Sequence, residues 1–129
     1  MGIGLFTDEV IDHFSNPRNV GALDHPDGIG TVGDPACGDL LELQIQVQDG
    51  IISDVRFKVR GCIAAIASSS MTTVLIKGKT LEEASLVTDQ TISEALGGLP
   101  DYKMHCSVLG ATAVRNAIAD YYSKCGEAS

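Results

Sequence analysis

Residues 41–60 read LELQIQVQDGIISDVRFKVR, and this stretch decides the fold. Apolar and polar residues alternate from Leu41 to Gln48 and again from Asp54 to Arg60. A period of two is typical of a strand that buries one of its faces. The dipeptide Asp49-Gly50 between the two segments favours a type I′ turn. The sequence therefore predicts an antiparallel β-hairpin.

A helix and a long connection are predicted before this hairpin. Thr7 is a suitable N-cap, and Asp8 and Glu9 favour the positive end of a helix dipole. Asn16-Pro17 ends this helix near Ser15, because the residue before a proline is pushed out of the α region. Residues 19–38 are rich in Gly, Asp and Pro, which predicts a segment that is mostly loop.

Four helical segments are predicted after the hairpin. The first covers residues 63–77, the second begins at a capping box at Thr80, and the third begins at a cap, Thr88 or Asp89. The fourth and last helix covers about Ser107 to Lys124, with Gly126 as its C′ residue. Strands grouped before helices indicate an α+β fold with the helices packed on one face of the sheet. A chain of 129 residues predicts one domain, residues 1–129.

The chain is acidic, with 9 Lys and Arg against 17 Asp and Glu and a net charge of −8. Such a surface repels phosphate backbones, so we expect no nucleic-acid partner. The most apolar stretch, residues 63–76, is interrupted by three serines and is too short to span a bilayer. The first residues lack the features of a signal peptide. We therefore expect a cytoplasmic protein with no membrane partner.

The segment from Gly28 to Gly33 reads GIGTVG and matches the G-x-G-x-x-G dinucleotide fingerprint. That fingerprint binds a pyrophosphate only between a strand and the N-terminus of a helix. Here a hairpin follows instead of a helix. The context favours a flexible loop or a short edge strand over a nucleotide site.

Three of the four cysteines lie at the predicted ends of elements. Cys37 precedes the first strand of the hairpin and Cys62 follows the second, so the open end of the hairpin should bring them close. Cys106 lies at the start of the last helix, where the helix dipole favours a thiolate. Cys125, at the other end of that helix, is interpreted as a structural residue. The spacing predicts a metal site or reactive site assembled by the fold.

Asp39 and His105 are candidate additional ligands because each lies next to one of these cysteines. Zinc sites and iron–sulfur sites both accept mixed Cys, His and carboxylate ligands. A third alternative is an enzyme with Cys106 as nucleophile and His105 as base. Adjacent residues at a helix start point in different directions, which weakens that alternative. His13, His25 and the serines at 68–70 are interpreted as structural.

Six short motifs are spread over most of the chain: Asn16–Asn19, Pro35–Asp39, Gly61-Cys62, Ala65–Ser70, Lys77–Lys79 and His105–Ser107. Together they resemble the IscU/NifU-N family of iron–sulfur cluster assembly scaffolds. The resemblance implies a three-stranded antiparallel sheet with the cluster site at one end, and a scaffold rather than a turnover enzyme. The similar SufU branch has an insertion between the second and third cysteine regions and lacks a histidine before the third cysteine. This chain has no obvious insertion and has His105 before Cys106, so it looks like a stand-alone IscU.

The resemblance also implies roles for single residues. Cys37, Cys62 and Cys106 would be ligands of a transient [2Fe–2S] cluster, and Cys106 would first accept persulfide sulfur from an IscS/NifS-like cysteine desulfurase. Asp39 would control the lability of the cluster, and His105 would be the alternative fourth ligand. The implied substrate is iron, with zinc as an alternative occupant of the same site. The implied partners are apo iron–sulfur proteins and an electron donor such as ferredoxin.

The chain departs from the family pattern at two places. Ile63 follows Cys62, where the family commonly has a small residue. Residues 99–103 read LPDYK, where the family has a Leu-Pro-Pro-Val-Lys segment that an Hsp70-type chaperone recognises. Asp101 removes a rigid proline and adds a carboxylate that an apolar groove would have to desolvate. We therefore predict that this chain does not depend on an Hsp70-type chaperone.

Overall fold

The computed structural model describes residues 6–34, 39–99 and 104–128, without the side chains of Asp34, Met104, His105 and residues 125–128. The elements are α1 Asp8–Ser15, β1 Gly28–Asp34, β2 Asp39–Gln48, β3 Ile51–Arg60, α2 Ile63–Ile76, α3 Leu81–Ser85, α4 Asp89–Ala95 and α5 Met104–Ala128. The strands form one antiparallel sheet in the order β1-β2-β3. In these ranges no helix combines the length and the apolar character needed to cross a membrane.

The β2–β3 hairpin confirms the prediction from the alternating sequence. Asp49 and Gly50 both have positive φ, 56° and 76°, as a type I′ turn requires. The apolar members of the alternation form the buried face of the hairpin: Leu41, Leu43, Ile45, Val55 and Phe57. The helices pack against this face of the sheet, so the predicted α+β arrangement is also confirmed.

β1 confirms the short edge strand, one of the two alternatives given for the glycine-rich segment, because residues 28–34 pair along β2 at the edge of the sheet. The glycines of the fingerprint allow this. A Cβ on Gly28 would lie 2.3 Å from the carbonyl oxygen of Ala117, and one on Gly30 would lie 2.2 Å from that of Ala113. The G-x-G motif therefore lets a strand pack directly on the backbone of α5. The pattern of polar and apolar residues in this segment does not reveal that contact.

The helices after the hairpin differ from the prediction mainly in α5. This helix begins at Met104 rather than near Ser107, and Ser107 is a buried residue of the helix. It also continues through Gly126 to Ala128, so Gly126 is not its C′ residue. A single glycine costs a helix about 1 kcal/mol, which does not by itself end it. α3 begins at the predicted capping box of Thr80, and α4 begins at Thr88, one of its two predicted caps, which also forms a capping box with Thr91.

A network that we call the serine cluster ties α1 and its following loop to α2; it comprises His13, Arg18, Asn19, Ser70 and Thr73. Ser70 Oγ lies 2.7 Å from His13 Nδ1 and accepts a hydrogen bond of 2.9 Å from the Arg18 backbone N–H. Asn19 Nδ2 donates to Thr73 Oγ1 at 3.0 Å. His13 has a structural role, as predicted. The serines at 68–70 were predicted only to pack within the helix, and Ser70 also forms hydrogen bonds.

Candidate metal and cluster site

Three elements meet at one end of the sheet and each contributes one candidate ligand. Asp39 is the first residue of β2. Cys62 is the N-cap of α2, two residues after β3 ends, and its backbone is extended with φ −79° and ψ 179°. Cys106 is the third residue of α5, and therefore lies in its first turn. A strand start and two helix starts thus converge, as expected for a site built by the fold.

The three side chains, which we call the cysteine cluster, approach each other closely. The sulfur atoms of Cys62 and Cys106 are 3.7 Å apart, and Cys106 Sγ lies 3.9 Å from Asp39 Oδ2. One potential ligand atom from each residue falls within 4.8 Å of the others. Because a disulfide bond is about 2.05 Å long, the two cysteines are separate thiols here. Three potential ligands are therefore already gathered around one point.

Burial differs within the cysteine cluster. Cys106 is 1% exposed and Asp39 is 5% exposed, whereas Cys62 is only half-buried. Cys106 forms a small apolar group with Ala64 and Ala65 from the first turn of α2. Four partly buried side chains pack against this group: Phe6, Val59, Cys62 and Leu99. One side of the cluster is therefore walled by apolar groups, and Cys62 is the most exposed of the three side chains.

Gly61 is a residue of the site whose role the sequence did not reveal. A Cβ on Gly61 would lie 2.6 Å from Asp39 Oδ1 and 2.8 Å from the Ala65 side chain. Only a glycine lets the end of β3 pass this close to the carboxylate and to α2. The sequence signal for this role is the glycine of the Gly61-Cys62 motif, which lies between a strand end and a cysteine.

Ile63, the bulky departure from the family pattern, does not pack in the apolar wall of the site. Its side chain packs against the main hydrophobic core, while the small residues Ala64 and Ala65 form the wall next to Cys106. The geometry of the described site is thus compatible with an isoleucine at position 63.

The structure brings together three of the five predicted site residues: Asp39, Cys62 and Cys106. Cys37 lies outside the described residues. The backbone of residue 105 lies in α5, but the His105 side chain and the Cys125 side chain are outside the described set, as are residues 100–103. In the described parts of the chain, no other three or more His, Cys, Asp and Glu side chains converge in this way.

The donor set has a definite chemical preference. Thiolates are soft ligands that bind zinc and iron–sulfur clusters, and a carboxylate is a harder ligand that both centres also accept. Such ligands must lose their protons to bind a metal, so binding a cation is coupled to deprotonation of the thiols. The arrangement is suited to a metal ion or a cluster with mixed sulfur and oxygen ligation.

The fold and the site together define a small α+β domain that presents sulfur and oxygen ligands at one end of its sheet. The chain belongs to the NifU-like N-terminal domain family, whose model matches residues 5–128. This finding confirms the resemblance inferred from the sequence motifs.

Named relatives and a solved structure agree with this family. The iron–sulfur cluster assembly scaffold protein IscU 1 of Archaeoglobus fulgidus is 55% identical over 123 residues, which cover 95% of this chain and 80% of that protein. The scaffold protein IscU of Escherichia coli K12 is 54% identical over 123 residues, covering 92% of this chain and 95% of the relative. The crystal structure of a NifU-like N-terminal protein from Brucella abortus shares the fold, with a TM-score of 0.76 at 22% identity over 95% of this chain and 97% of that one.

Proposed function

We propose that this protein is a scaffold on which an iron–sulfur cluster is assembled and from which it is passed on. The observation that carries the proposal is the convergence of Asp39, Cys62 and Cys106 within 4.8 Å. Relatives that are 54–55% identical are named as scaffold proteins for this process, which supports the same function here. A scaffold carries its cluster as cargo, so we propose no catalytic turnover of a small-molecule substrate.

The proposed sequence of events assigns a role to each cysteine of the site. Cys106 accepts persulfide sulfur from a cysteine desulfurase, and iron and electrons, from a donor such as ferredoxin, complete a [2Fe–2S] cluster. Cys37, Cys62 and Cys106 hold that cluster, which then moves to apo iron–sulfur proteins. Because Cys106 is 1% exposed, we propose that docking of the desulfurase opens this end of the fold.

Asp39 is the proposed source of cluster lability. An oxygen ligand is a weaker partner than a thiolate for the iron of a sulfide-bridged cluster. The position of Asp39 Oδ2, 3.9 Å from Cys106 Sγ, supports a role at the cluster. A durable electron carrier would be expected to use four thiolates, whereas a mixed set allows release. His105 is the alternative fourth ligand.

Anaerobic reconstitution tests the proposed function. The reduced apoprotein is incubated with ferrous iron and inorganic sulfide, desalted, and examined by visible absorption and by analysis for iron, sulfide and zinc. We expect a red-brown protein that contains iron and sulfide in equal amounts. A colourless protein that takes up zinc but neither iron nor sulfide would contradict the proposal and support a zinc protein built on the same ligands.

We further propose that cluster release needs no dedicated Hsp70-type chaperone. Support comes from the sequence LPDYK at 99–103, where Asp101 restores backbone freedom worth about 0.4–1 kcal/mol relative to a proline. The test is a titration of an Hsp70 that reads the prolyl motif with a peptide of residues 98–104. The comparison peptide carries Asp101→Pro and Tyr102→Val. Equal affinity of the two peptides would refute this proposal.

A further inference from the structure

The two sulfurs of the cysteine cluster lie in van der Waals contact. Cys62 Sγ and Cys106 Sγ are 3.7 Å apart, so they need to approach by less than about 2 Å to reach the length of a disulfide bond, about 2.05 Å. Their environments differ, because Cys106 is buried against Ala64 and Ala65 while Cys62 is half-exposed. A buried thiol next to an accessible one is the arrangement of a thiol pair that exchanges sulfur bonds.

We propose that Cys62 is the resolving cysteine that releases sulfide from a persulfide on Cys106. This inference rests on the proposed function, in which Cys106 carries the persulfide. Cys62 Sγ attacks Cys106 Sγ, a bond forms between these two atoms, and the bond from Cys106 Sγ to the outer sulfur breaks. The outer sulfur leaves with the electron pair of the broken bond and, with the proton of the Cys62 thiol, becomes hydrogen sulfide. The Cys62 sulfur is thereby oxidised from a thiol to the disulfide level, the outer sulfur is reduced to sulfide, and Cys106 Sγ, already bonded to a sulfur in the persulfide, keeps its oxidation level.

The burial of Cys106 favours this internal reaction over attack by an external thiol. Thiol–disulfide exchange requires access to the sulfur that is attacked, and Cys106 Sγ is shielded by the apolar wall of the site. Cys62 is already beside it, so the reaction is unimolecular and gains the high effective concentration of a positioned neighbour. The sulfide is released at the ligand site itself, without an external reductant in that step.

The step fixes what the external reductant must do. Each released sulfide leaves a disulfide between Cys62 and Cys106, which removes two of the thiolate ligands of the site. A thiol or dithiol reductant regenerates both thiols and is itself oxidised to a disulfide. Cys62, the more exposed residue of the pair, is the point of attack. Reduction of this pair must therefore precede stable binding of iron.

A first experiment tests the reactivity of the pair without any persulfide. Reduced apoprotein is mixed anaerobically with one equivalent of dipyridyl disulfide, and the released pyridinethione and the linked peptides are measured. We expect two pyridinethiones per reagent and a peptide that joins Cys62 to Cys106, in wild type and in the controls Cys37→Ser and Cys125→Ser. Cys62→Ser should form no disulfide at Cys106, because the Cys106 sulfur is shielded from the reagent and its accessible neighbour is gone. Absence of the Cys62–Cys106 link in wild type would overturn the proposal.

A second experiment follows the persulfide itself. A cysteine desulfurase with limiting L-cysteine delivers sulfur to the apoprotein without any reductant, and sulfide and intact mass are measured. Wild type and Cys37→Ser should release sulfide and become lighter by two hydrogen atoms, whereas Cys62→Ser should become heavier by one sulfur atom and release none. Retention of the extra sulfur by wild type, or failure of Cys37→Ser to release sulfide, would overturn the proposal. If no variant accepts sulfur, this proposal fails together with persulfide acceptance, whereas cluster assembly from inorganic sulfide tests the scaffold function separately.

Discussion

Two polar clusters lie along α2, and the contacts between their polar groups differ in kind. The serine cluster lies near the end of α2. In it the Arg18 backbone N–H donates a hydrogen bond of 2.9 Å to Ser70, and the Asn19 side chain donates one of 3.0 Å to Thr73. In the cysteine cluster, at the start of α2, the contacts between sulfur and sulfur or oxygen are 3.7 and 3.9 Å. The first set of distances is typical of hydrogen bonds that hold a fold together. The second gathers three groups that become anionic when they bind a metal.

The two clusters show how a structural cluster can be distinguished from a ligand site along the same helix. Carboxylate and thiolate groups repel one another once deprotonated, so their close approach is stabilised by a cation. Binding of a cation to the folded state alone would also stabilise it by mass action. We therefore expect substitutions in the cysteine cluster to affect cargo and those in the serine cluster to affect stability.

The largest effect is expected from the cysteines themselves. Cys37→Ser, Cys62→Ser and Cys106→Ser should each prevent stable cluster assembly, because a serine hydroxyl replaces a thiolate ligand of iron. Cys125→Ser is the matched control and should assemble a cluster normally. Iron and sulfide bound after anaerobic reconstitution are the measured quantities. Equal loss in all four variants would remove the distinction between ligand and structural cysteines.

A second substitution tests whether the cysteine cluster depends on close backbone approach. Gly61→Ala places a Cβ 2.6 Å from Asp39 Oδ1, so either the carboxylate or the start of α2 must shift. Overpacking of this kind costs about 1–3 kcal/mol, and the reconstituted variant should hold less iron. Gly33→Ala is the control, because its Cβ meets nothing closer than 3.5 Å. Identical iron content and urea midpoints in the two variants would contradict the role given to Gly61.

A third substitution separates holding the cluster from releasing it. Asp39→Ala removes the oxygen ligand, and we expect its cluster to persist longer in air and to transfer severalfold more slowly to an apo-ferredoxin. Glu42→Ala removes a carboxylate of the same strand and should transfer at the wild-type rate. The transfer is followed by the circular dichroism of the recipient cluster. An unchanged rate for Asp39→Ala would exclude the proposed role in lability, whereas His105→Ala should have a smaller effect than Asp39→Ala.

The smallest effect concerns the pH dependence of the serine cluster. Burial lowers the pKa of His13 below its usual value, the charge of Arg18 lowers it further, and Asp12 opposes the shift. The unfolded chain then takes up the proton more readily, so the neutral ring contributes stability above about pH 6.5 that is lost as the pH falls towards the folded pKa. The wild-type free energy of unfolding should fall in this range by at most about 1.4 kcal/mol per pH unit more than that of His13→Asn. Parallel pH profiles of the two proteins would contradict this assignment.

Much of the fold follows from local sequence patterns. Alternation in residues 41–60, the Asp49-Gly50 turn and the caps at Thr7, Thr80 and Thr88 are local features, and each element that they predict is present. For β1 the sequence left a flexible loop and a short edge strand as alternatives, because its glycines select the strand through contact with α5, which is distant in sequence. The ends of α5 were misplaced because Ser107 and Gly126 resemble helix boundaries that the packed helix overrides.

The site was predictable to the extent that its residues lie at the ends of elements. The hairpin topology placed Cys62 at the open end of the sheet, and the start of the last helix placed Cys106. The distances within the cysteine cluster, the apolar wall and the need for Gly61 depend on how β2, α2 and α5 pack, which no single segment encodes. The hydrogen bonding of Ser70 was missed for the same reason.

The most direct test that the cysteine cluster binds cargo and the serine cluster stabilises the fold compares Cys62→Ser with Ser70→Ala in one experiment. The urea midpoint of each apoprotein is measured together with the iron that each folded protein binds on anaerobic reconstitution. Ser70→Ala leaves the Arg18 N–H and His13 Nδ1 without their shared partner, so we predict a loss of about 1–3 kcal/mol with iron binding retained. Cys62→Ser, at a half-buried position, should change stability by less than about 0.5 kcal/mol while losing its iron. A parallel fall of stability and iron binding in both variants would contradict the separation of a structural serine cluster from a ligand-binding cysteine cluster.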